Sequence, residues 1–175
     1  MSAPCIALQV REVSAGDAAE IADLLNAIIA QGGTTALEEV LTPAQLDEAY
    51  LTGPSVLCCL VAVDDETGAI EGFQTLGRYP GLPSDVGDIG TFARIGSKQR
   101  GIGSALFAVT KGRARALGLT AINATIRADN AGGLAFYAKQ GFVDHTVTAA
   151  VPLADGTPVD RINKRFLLNS TENGE

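Results

Sequence analysis

The most constraining feature of the chain is a strand, a glycine turn, a helix and a second strand between Asp88 and Ile126. Asp88-Ile89-Gly90-Thr91-Phe92-Ala93-Arg94-Ile95 reads as a strand, and Lys98-Gln99-Arg100-Gly101-Ile102-Gly103-Ser104 follows as a turn. Ile102, Leu106, Thr110, Ala114 and Leu117 then share one helical face, and Gly118 stops that helix. Ile122, Ala124 and Ile126 alternate in the next strand. A β-α-β order of this length requires a right-handed crossover and a parallel strand pair. Gly101 and Gly103 lie where strand gives way to helix, so a ligand can approach the main chain closely there. The first N–H groups of the helix lack intrahelical acceptors and face the positive end of its dipole, which suits phosphate oxygens. A tight turn with nothing bound fits the same residues.

The turn is neither of two common phosphate loops. Leu106 stands where a dinucleotide fingerprint needs its third glycine, and no Gly-Lys-Ser/Thr follows. Lys98-x-x-Gly101-x-Gly103 resembles instead the acyl-CoA loop of the GNAT superfamily of N-acyltransferases, Arg/Gln-x-x-Gly-x-Gly/Ala, with lysine at its first position. Asn130-Ala131-Gly132-Gly133-Leu134-Ala135-Phe136-Tyr137-Ala138-Lys139-Gln140-Gly141-Phe142 resembles the second signature of that family. Two signatures in order, separated by a helix and a strand, are far more specific than either alone.

The rest of the chain reads as one domain over residues 1–168, with 169–175 a polar, disordered tail. At 175 residues and 46% apolar content it can bury a sizeable core. Ile6 to Val13 is a first strand; Ser14 with Asp17 resembles a capping box before the stripe Ile21, Leu24, Leu25, Ile28, Ile29. Thr42-Pro43 opens a short helix to about Tyr50. The unbroken apolar run Val56 to Val63 is a strand covered on both faces, and Ile70 to about Leu76 is its partner. Arg78 to Gly87 is a loop, either a wall of the substrate site or a plain connection. Phe142 to Val151 and Val159 to Leu168 close the chain as an antiparallel pair. The order implies a mixed α/β (α+β) sheet of about seven strands with about four helices, which is also the order of the GNAT fold.

A net charge of −7 and a pI near 4.7 argue against nucleic-acid and anionic-membrane binding and favour a cationic or amine partner. The amino terminus lacks a signal pattern and no window reaches the length of a membrane span, so a cytoplasmic protein is expected. Cys5, Cys58 and Cys59 read as buried thiols. His145 has no ligand partners at metal spacing, and no metal is expected.

The resemblance implies acetyl-CoA as co-substrate, with its pyrophosphate on the main chain around Gly101, Ile102, Gly103 and Ser104. Lys98, Gln99 and Arg100 would flank it, with the two cations either pairing with phosphates or remaining solvated. Its arm would run past Phe92, Ala93 and Asn130, between strands that splay apart. Transfer to an alkylammonium of pKa near 10.4 calls for a base, because deprotonation at neutral pH costs about 4 to 5 kcal/mol. Asp88 stands thirteen residues before Gly101, where acyltransferases of the phosphinothricin and methionine-sulfoximine type carry a glutamate base. Tyr137 matches the family's general acid, and Asn130 also suits a helix N-cap. Thr34-Thr35-Ala36-Leu37-Glu38 resembles the acceptor border of that subfamily, so Leu37, Glu38, Tyr79 and Asp88 are the candidate substrate contacts. Leu37 stands where the subfamily has an aromatic, and its Arg-x-x-Tyr pattern before the base is missing.

The implied activity is direct acetyl transfer to the primary amine of a small molecule, an amino acid or analogue. Two alternatives remain open: a peptide or protein acceptor, and a non-catalytic acyl-CoA-binding domain. Members of the family often pair through their last strands, which makes a homodimer the expected assembly.

Overall fold

The computed structural model describes residues 7–168, so Cys5 and the tail over 169–175 lie outside the described residues. Seven strands form one sheet in the order β1-β2-β3-β4-β5-β7-β6. They are β1 (Leu8–Glu12), β2 (Val56–Asp64), β3 (Ile70–Gly77), β4 (Val86–Ala93), β5 (Ala121–Arg127), β6 (Val143–Pro152) and β7 (Pro158–Leu167). Four helices accompany them: α1 (Ala18–Gln31), the short α2 (Pro43–Leu46), α3 (Ile102–Ala116) and α4 (Ala131–Gln140). All neighbouring pairs are antiparallel except β4 with β5, which run parallel as the intervening α3 requires. Among the described residues no helix is long and apolar enough to cross a membrane.

The two faces of the sheet carry separate cores. On one face Ile21, Leu25 and Ile28 of α1 pack with Leu46 of α2 against Val61 and Phe73. On the other, Phe107 and Ala114 of α3 and Tyr137 of α4 pack against Leu76, Ile89, Ile122 and Ala124. The unbroken apolar run of β2 reflects this arrangement, since side chains of both parities are covered. Cys59 is buried there, and burial pushes its thiol up to about 12; the half-buried Cys58 thiol is pushed up for the same reason. Both therefore stay protonated at neutral pH.

Local signals explain most boundaries. The Ser14 N–H donates to Asp17 Oδ2 at 2.7 Å at the entrance to α1, and Thr42 Oγ1 accepts from Gln45 N at 3.1 Å at the entrance to α2. The second helix departs from the single element that its sequence predicts. One α-turn gives way to a wider π-turn over Asp47–Leu51, where the N–H groups of Thr52 and Gly53 both reach Asp47 O. A Cβ at Gly53 would lie 1.6 Å from Glu48 O, so glycine permits this fold-back. The turn leaves Tyr50 O to accept from Thr75 Oγ1 at 2.7 Å and brings Tyr50 into the region of Asp88.

Between β4 and β5 the ladder is short. Val86, Gly87 and Asp88 pair with Ala121, Ile122 and Asn123, and pairing stops there, so the later halves of the two strands diverge. The gap opens through the sheet, joining its two faces.

Candidate active site

Strand alternation sorts the side chains around the gap. Ile122, Ala124 and Ile126 point to the α3–α4 core, which sends Asn123, Thr125 and Arg127 to the opposite face. The β5–β7 register sets these three against Arg165, Asn163 and Arg161. The outcome is a polar floor beside Asp88, lacking helix cover and roofed by the α1–α2 loop. Beside the Asn26–Leu41 bonds to α1, three contacts tie that loop down: Arg127 Nη1 donates to Thr35 O at 3.2 Å, Asn130 Nδ2 to Thr34 O at 2.9 Å, and Ala154 N to Glu38 Oε2 at 2.8 Å.

Floor, roof and gap enclose a cavity of about 950 Å³. Asp88, Phe92, Ala93, Gly103, Asn130 and Tyr137 line it, as do Leu37 and the exposed Tyr79 at its rim. Other residues singled out from the sequence do not. Glu38 is turned away onto the backbone of Ala154, and Gln99 Nε2 donates to Asp64 Oδ2 at 2.7 Å. Ser104 Oγ accepts from Gln140 Nε2 at 2.8 Å, and Ile102 packs on Leu60 and Ala62. Lys98 and Arg100 also lie outside the lining.

Asp88 is half-buried. Burial raises its carboxyl above the usual carboxylate range, opposed by a 3.0 Å hydrogen bond from Asn123 Nδ2 and by the charge of Arg165. Arg165 also holds Asn123, donating from Nε to Oδ1 at 3.0 Å, so the amide that orients Asp88 is itself fixed. Tyr137 reaches the gap from the α3–α4 side. Burial pushes its phenol up to about 12, against the bond that it shares with Thr91, so it stays protonated across ordinary pH. Thr91 Oγ1 lies 2.9 Å from Tyr137 Oη and accepts from Gln74 Nε2 at 2.9 Å. Either hydroxyl can donate in this pair, and among the described residues Tyr137 Oη is the one acceptor that the Thr91 hydroxyl proton reaches. Directed that way, the Thr91 proton leaves the phenol's own proton free to face the gap.

Asn123, Thr125, Gln74, Thr91, Tyr50 and Arg161 were not singled out from the sequence. The signal for two of them, Asn123 and Thr125, was available: polar residues alternating with Ile122, Ala124 and Ile126 must share a face. Gln74 and Thr91 meet Tyr137 only through tertiary contact, which no local pattern announces.

The glycine turn is shaped for close approach. Gly101 has φ +72° and the first intrahelical bond runs from Ala105 N to Gly101 O at 2.9 Å, so the N–H groups of Ile102, Gly103 and Ser104 precede it. A Cβ at Gly103 would lie 2.6 Å and 2.7 Å from the Phe136 ring. Gly103→Ala is accordingly expected to displace Phe136 and raise the KM for the acyl donor roughly tenfold, since overpacking costs about 1–3 kcal/mol. Steady-state kinetics at saturating acceptor will show the rise in KM with kcat nearly unchanged.

An open parallel pair thus lies beside a turn with unpaired N–H groups, and a half-buried carboxylate and a buried phenol face the gap. A family model described as the acetyltransferase (GNAT) family matches residues 24–142, and the chain belongs to that family. It is an acetyl-CoA-dependent N-acetyltransferase. Similar solved structures include a GCN5-related N-acetyltransferase from Kribbella flavida, at 23% identity over 92% of this chain and 98% of that one, with a TM-score of 0.79. A GNAT superfamily phosphinothricin acetyltransferase from Sinorhizobium meliloti in complex with acetyl-CoA shares 20% identity over 96% and 92% of the two chains, with a TM-score of 0.78. A ribosomal-protein-alanine N-acetyltransferase from Brucella melitensis shares 16% over 91% and 99%, with a TM-score of 0.75. At these identities the likeness is one of fold. No curated protein sequence matches the chain.

Proposed function

We propose that the chain acetylates the primary amine of a small molecule, an amino acid or analogue, by direct attack, with Asp88 as base and Tyr137 supporting the leaving sulfur. The observation that carries this reading is the placement of Asp88 and Tyr137 on one cavity, reached from opposite faces of the sheet where β4 and β5 part. The residues fit acetyl-CoA: the N–H groups of the turn at Gly101–Ser104 would hold its pyrophosphate, and the cleft beside Phe92, Ala93 and Asn130 would take its arm. Bound there, acetyl-CoA supplies an activated acetyl group. The chain's own groups manage the protons.

Asp88 takes the ammonium proton, directly or through a water. Its raised pKa brings it closer to that task than an exposed aspartate would be. Tyr137 does not transfer its proton completely. A phenol near 12 against a thiol near 8.5 makes full transfer uphill by about 5 kcal/mol. It donates a hydrogen bond to the charge that develops on sulfur, in a site where such a bond is strong.

The acceptor class follows from the roof. With the α1–α2 loop bonded to β5, to Asn130 and to the β6–β7 turn, the floor is enclosed as suits a small molecule more than a long peptide. The phosphinothricin acetyltransferase and the ribosomal-protein-alanine acetyltransferase named above share this fold, so fold alone does not choose between acceptors. The exposed outer edge of β6, with Val143 and Val147 59–60% exposed, supports a homodimer. The described strands and helices form a single sheet with its cores, which supports one catalytic domain over 1–168.

A mass-spectrometric screen for acetylated products from amino acids, methionine sulfone, polyamines, aminoglycosides and basic peptides tests the proposal. Product from amino acids or their analogues supports it, and product from basic peptides alone overturns it. Thr91→Val removes the hydroxyl that orients Tyr137 and leaves the Gln74 amide unpaired. We expect kcat to fall by roughly tenfold with the acetyl-CoA KM unchanged, and stability to drop by about 1–3 kcal/mol on chemical denaturation.

A further inference from the structure

The β5–β7 register sets two arginines against each other on the cavity side of the sheet, Arg127 and Arg161, each 8% exposed. Their surroundings differ. Arg127 is fully engaged: Nε and Nη2 donate to the two oxygens of Asp129 at 2.9 Å and 2.7 Å, and Nη1 donates to Thr35 O. Arg161 forms no ion pair among the described residues. Among those residues its one hydrogen bond is a long 3.4 Å contact from Nη1 to Val159 O. Asp129 acts on it only at a distance, with both carboxylate oxygens already held by Arg127.

A guanidinium stays charged at every physiological pH, so it cannot escape burial by losing its proton. Buried charges are ordinarily paired. Arg161 lines the cavity beside Thr148 of β6, its partner in the β6–β7 register, and the Thr34–Leu37 loop lines the same cavity from the roof. Its unused donors form a planar fork that matches a carboxylate or phosphonate with two parallel bonds.

We infer that Arg161 forms an anion-binding subsite for the acceptor, which is therefore an amine carrying a carboxylate or phosphonate several bonds from its nitrogen. This rests on the reading of the cavity as the acceptor site. The separation comes from the strands. Asp88, Asn123 and Arg165 form one row across β4, β5 and β7, and Arg161 lies four residues from Arg165 along β7. At a strand rise of about 3.3 Å per residue, the rows are about 13 Å apart between Cα atoms, a span that the side chains at its two ends shorten. The amine sits toward the Asp88 row and the anion toward Arg161. An α-carboxylate next to the nitrogen would not bridge them; a side-chain or ω-carboxylate is better matched.

The test compares the full-length wild type with Arg161→Gln and Arg161→Lys on charged and neutral amine pairs: glutamate with glutamine, and 4-aminobutyrate with butylamine. The 3-aminopropylphosphonate anion is a third charged probe. Acetylated product is measured by mass, and binding of each probe by calorimetry with coenzyme A present. The wild type should prefer the charged member of each pair. Arg161→Gln should lower kcat/KM for charged amines by roughly 10- to 100-fold, through KM. Neutral amines and the acetyl-CoA KM should change less than about twofold, and Arg161→Lys should recover part of the loss.

Absence of any charge preference in the wild type overturns the subsite, a result that needs no variant to fold. An equal loss for charged and neutral amines in a folded Arg161→Gln protein also overturns it, because it assigns the arginine to structure. Charge-dependent binding that disappears in Arg161→Gln, without acetylated product from any amine, upholds the subsite and removes the small-amine transferase reading instead. Acetylation without charge preference does the reverse.

Discussion

Asp88→Asn should lower kcat for amine acetylation by about 10²- to 10³-fold, the range set by loss of a positioned general base. The amide keeps an oxygen for Asn123 Nδ2, so the floor of the cavity should stay intact. The pH dependence gives a sharper test. Burial raises the Asp88 carboxyl, so in the wild type the ionised base is lost as pH falls through a value above that of an ordinary aspartate. The acidic limb of kcat should therefore lie above the ordinary aspartate range, and it should vanish in Asp88→Asn. Stability moves the other way. A carboxyl with a folded pKa above its unfolded one binds more protons when folded, and stability falls as pH rises through that window. At neutral pH the ionised Asp88 is then a cost to the fold, and Asp88→Asn should melt at the same temperature or higher. A variant that loses activity and stability together would place Asp88 in the architecture rather than the chemistry.

Tyr137→Phe should reduce kcat by about 10²-fold, with little change in acetyl-CoA affinity. The ring remains packed between Phe136 and Phe142, whose centroids lie 4.9 Å and 5.0 Å from its own, so only the hydroxyl is removed. Because that hydroxyl is protonated throughout ordinary pH, the variant should keep the shape of the wild-type pH profile at a lower level. Stopped-flow or steady-state turnover at saturating acetyl-CoA measures the effect; an unchanged kcat removes Tyr137 from the mechanism. The contrast with Asp88→Asn, which changes the shape of the profile, separates a group that titrates from one that only donates.

Much of this arrangement is legible in the sequence, and the reason is local. The parallel pair follows from a strand, a helix and a strand of the right lengths. The turn shows in Gly101 and Gly103, and Asn130 reads as a cap because its oxygen accepts from Gly133 N at 3.0 Å. Asp88 and Tyr137 were placed by resemblance, and the fold brings them to one cavity. Less legible are properties that depend on distant partners. Glu38 looks like a substrate contact until the β6–β7 turn presents Ala154 N to it. Gln74 carries no signal of its own in the strand Ile70 to about Leu76, and only its pairing with Thr91 across β3–β4 gives it a role. Arg127 and Arg161 look equivalent as cations; one has a carboxylate two residues away and the other has none. The π-turn after α2 was also hidden, because its cause is a backbone contact at Gly53 rather than a periodicity.

The three-pair junction between β4 and β5 has a mechanical meaning. The sheet is two half-sheets, β1-β2-β3-β4 and β5-β7-β6, stitched at one end by Val86–Asp88 and Ala121–Asn123 and bridged by α3. Main-chain groups facing the open end have no strand opposite them. A donor bound there, as proposed above, would meet these groups, and its binding energy would become cohesion between the halves. At a ligand concentration of about a hundred times its Kd, mass action alone adds about 2.7 kcal/mol to the folded state. Amide protons bordering the gap should exchange rapidly in the empty protein and slow when acetyl-CoA is added, the result expected if the donor is also a removable brace between the two halves.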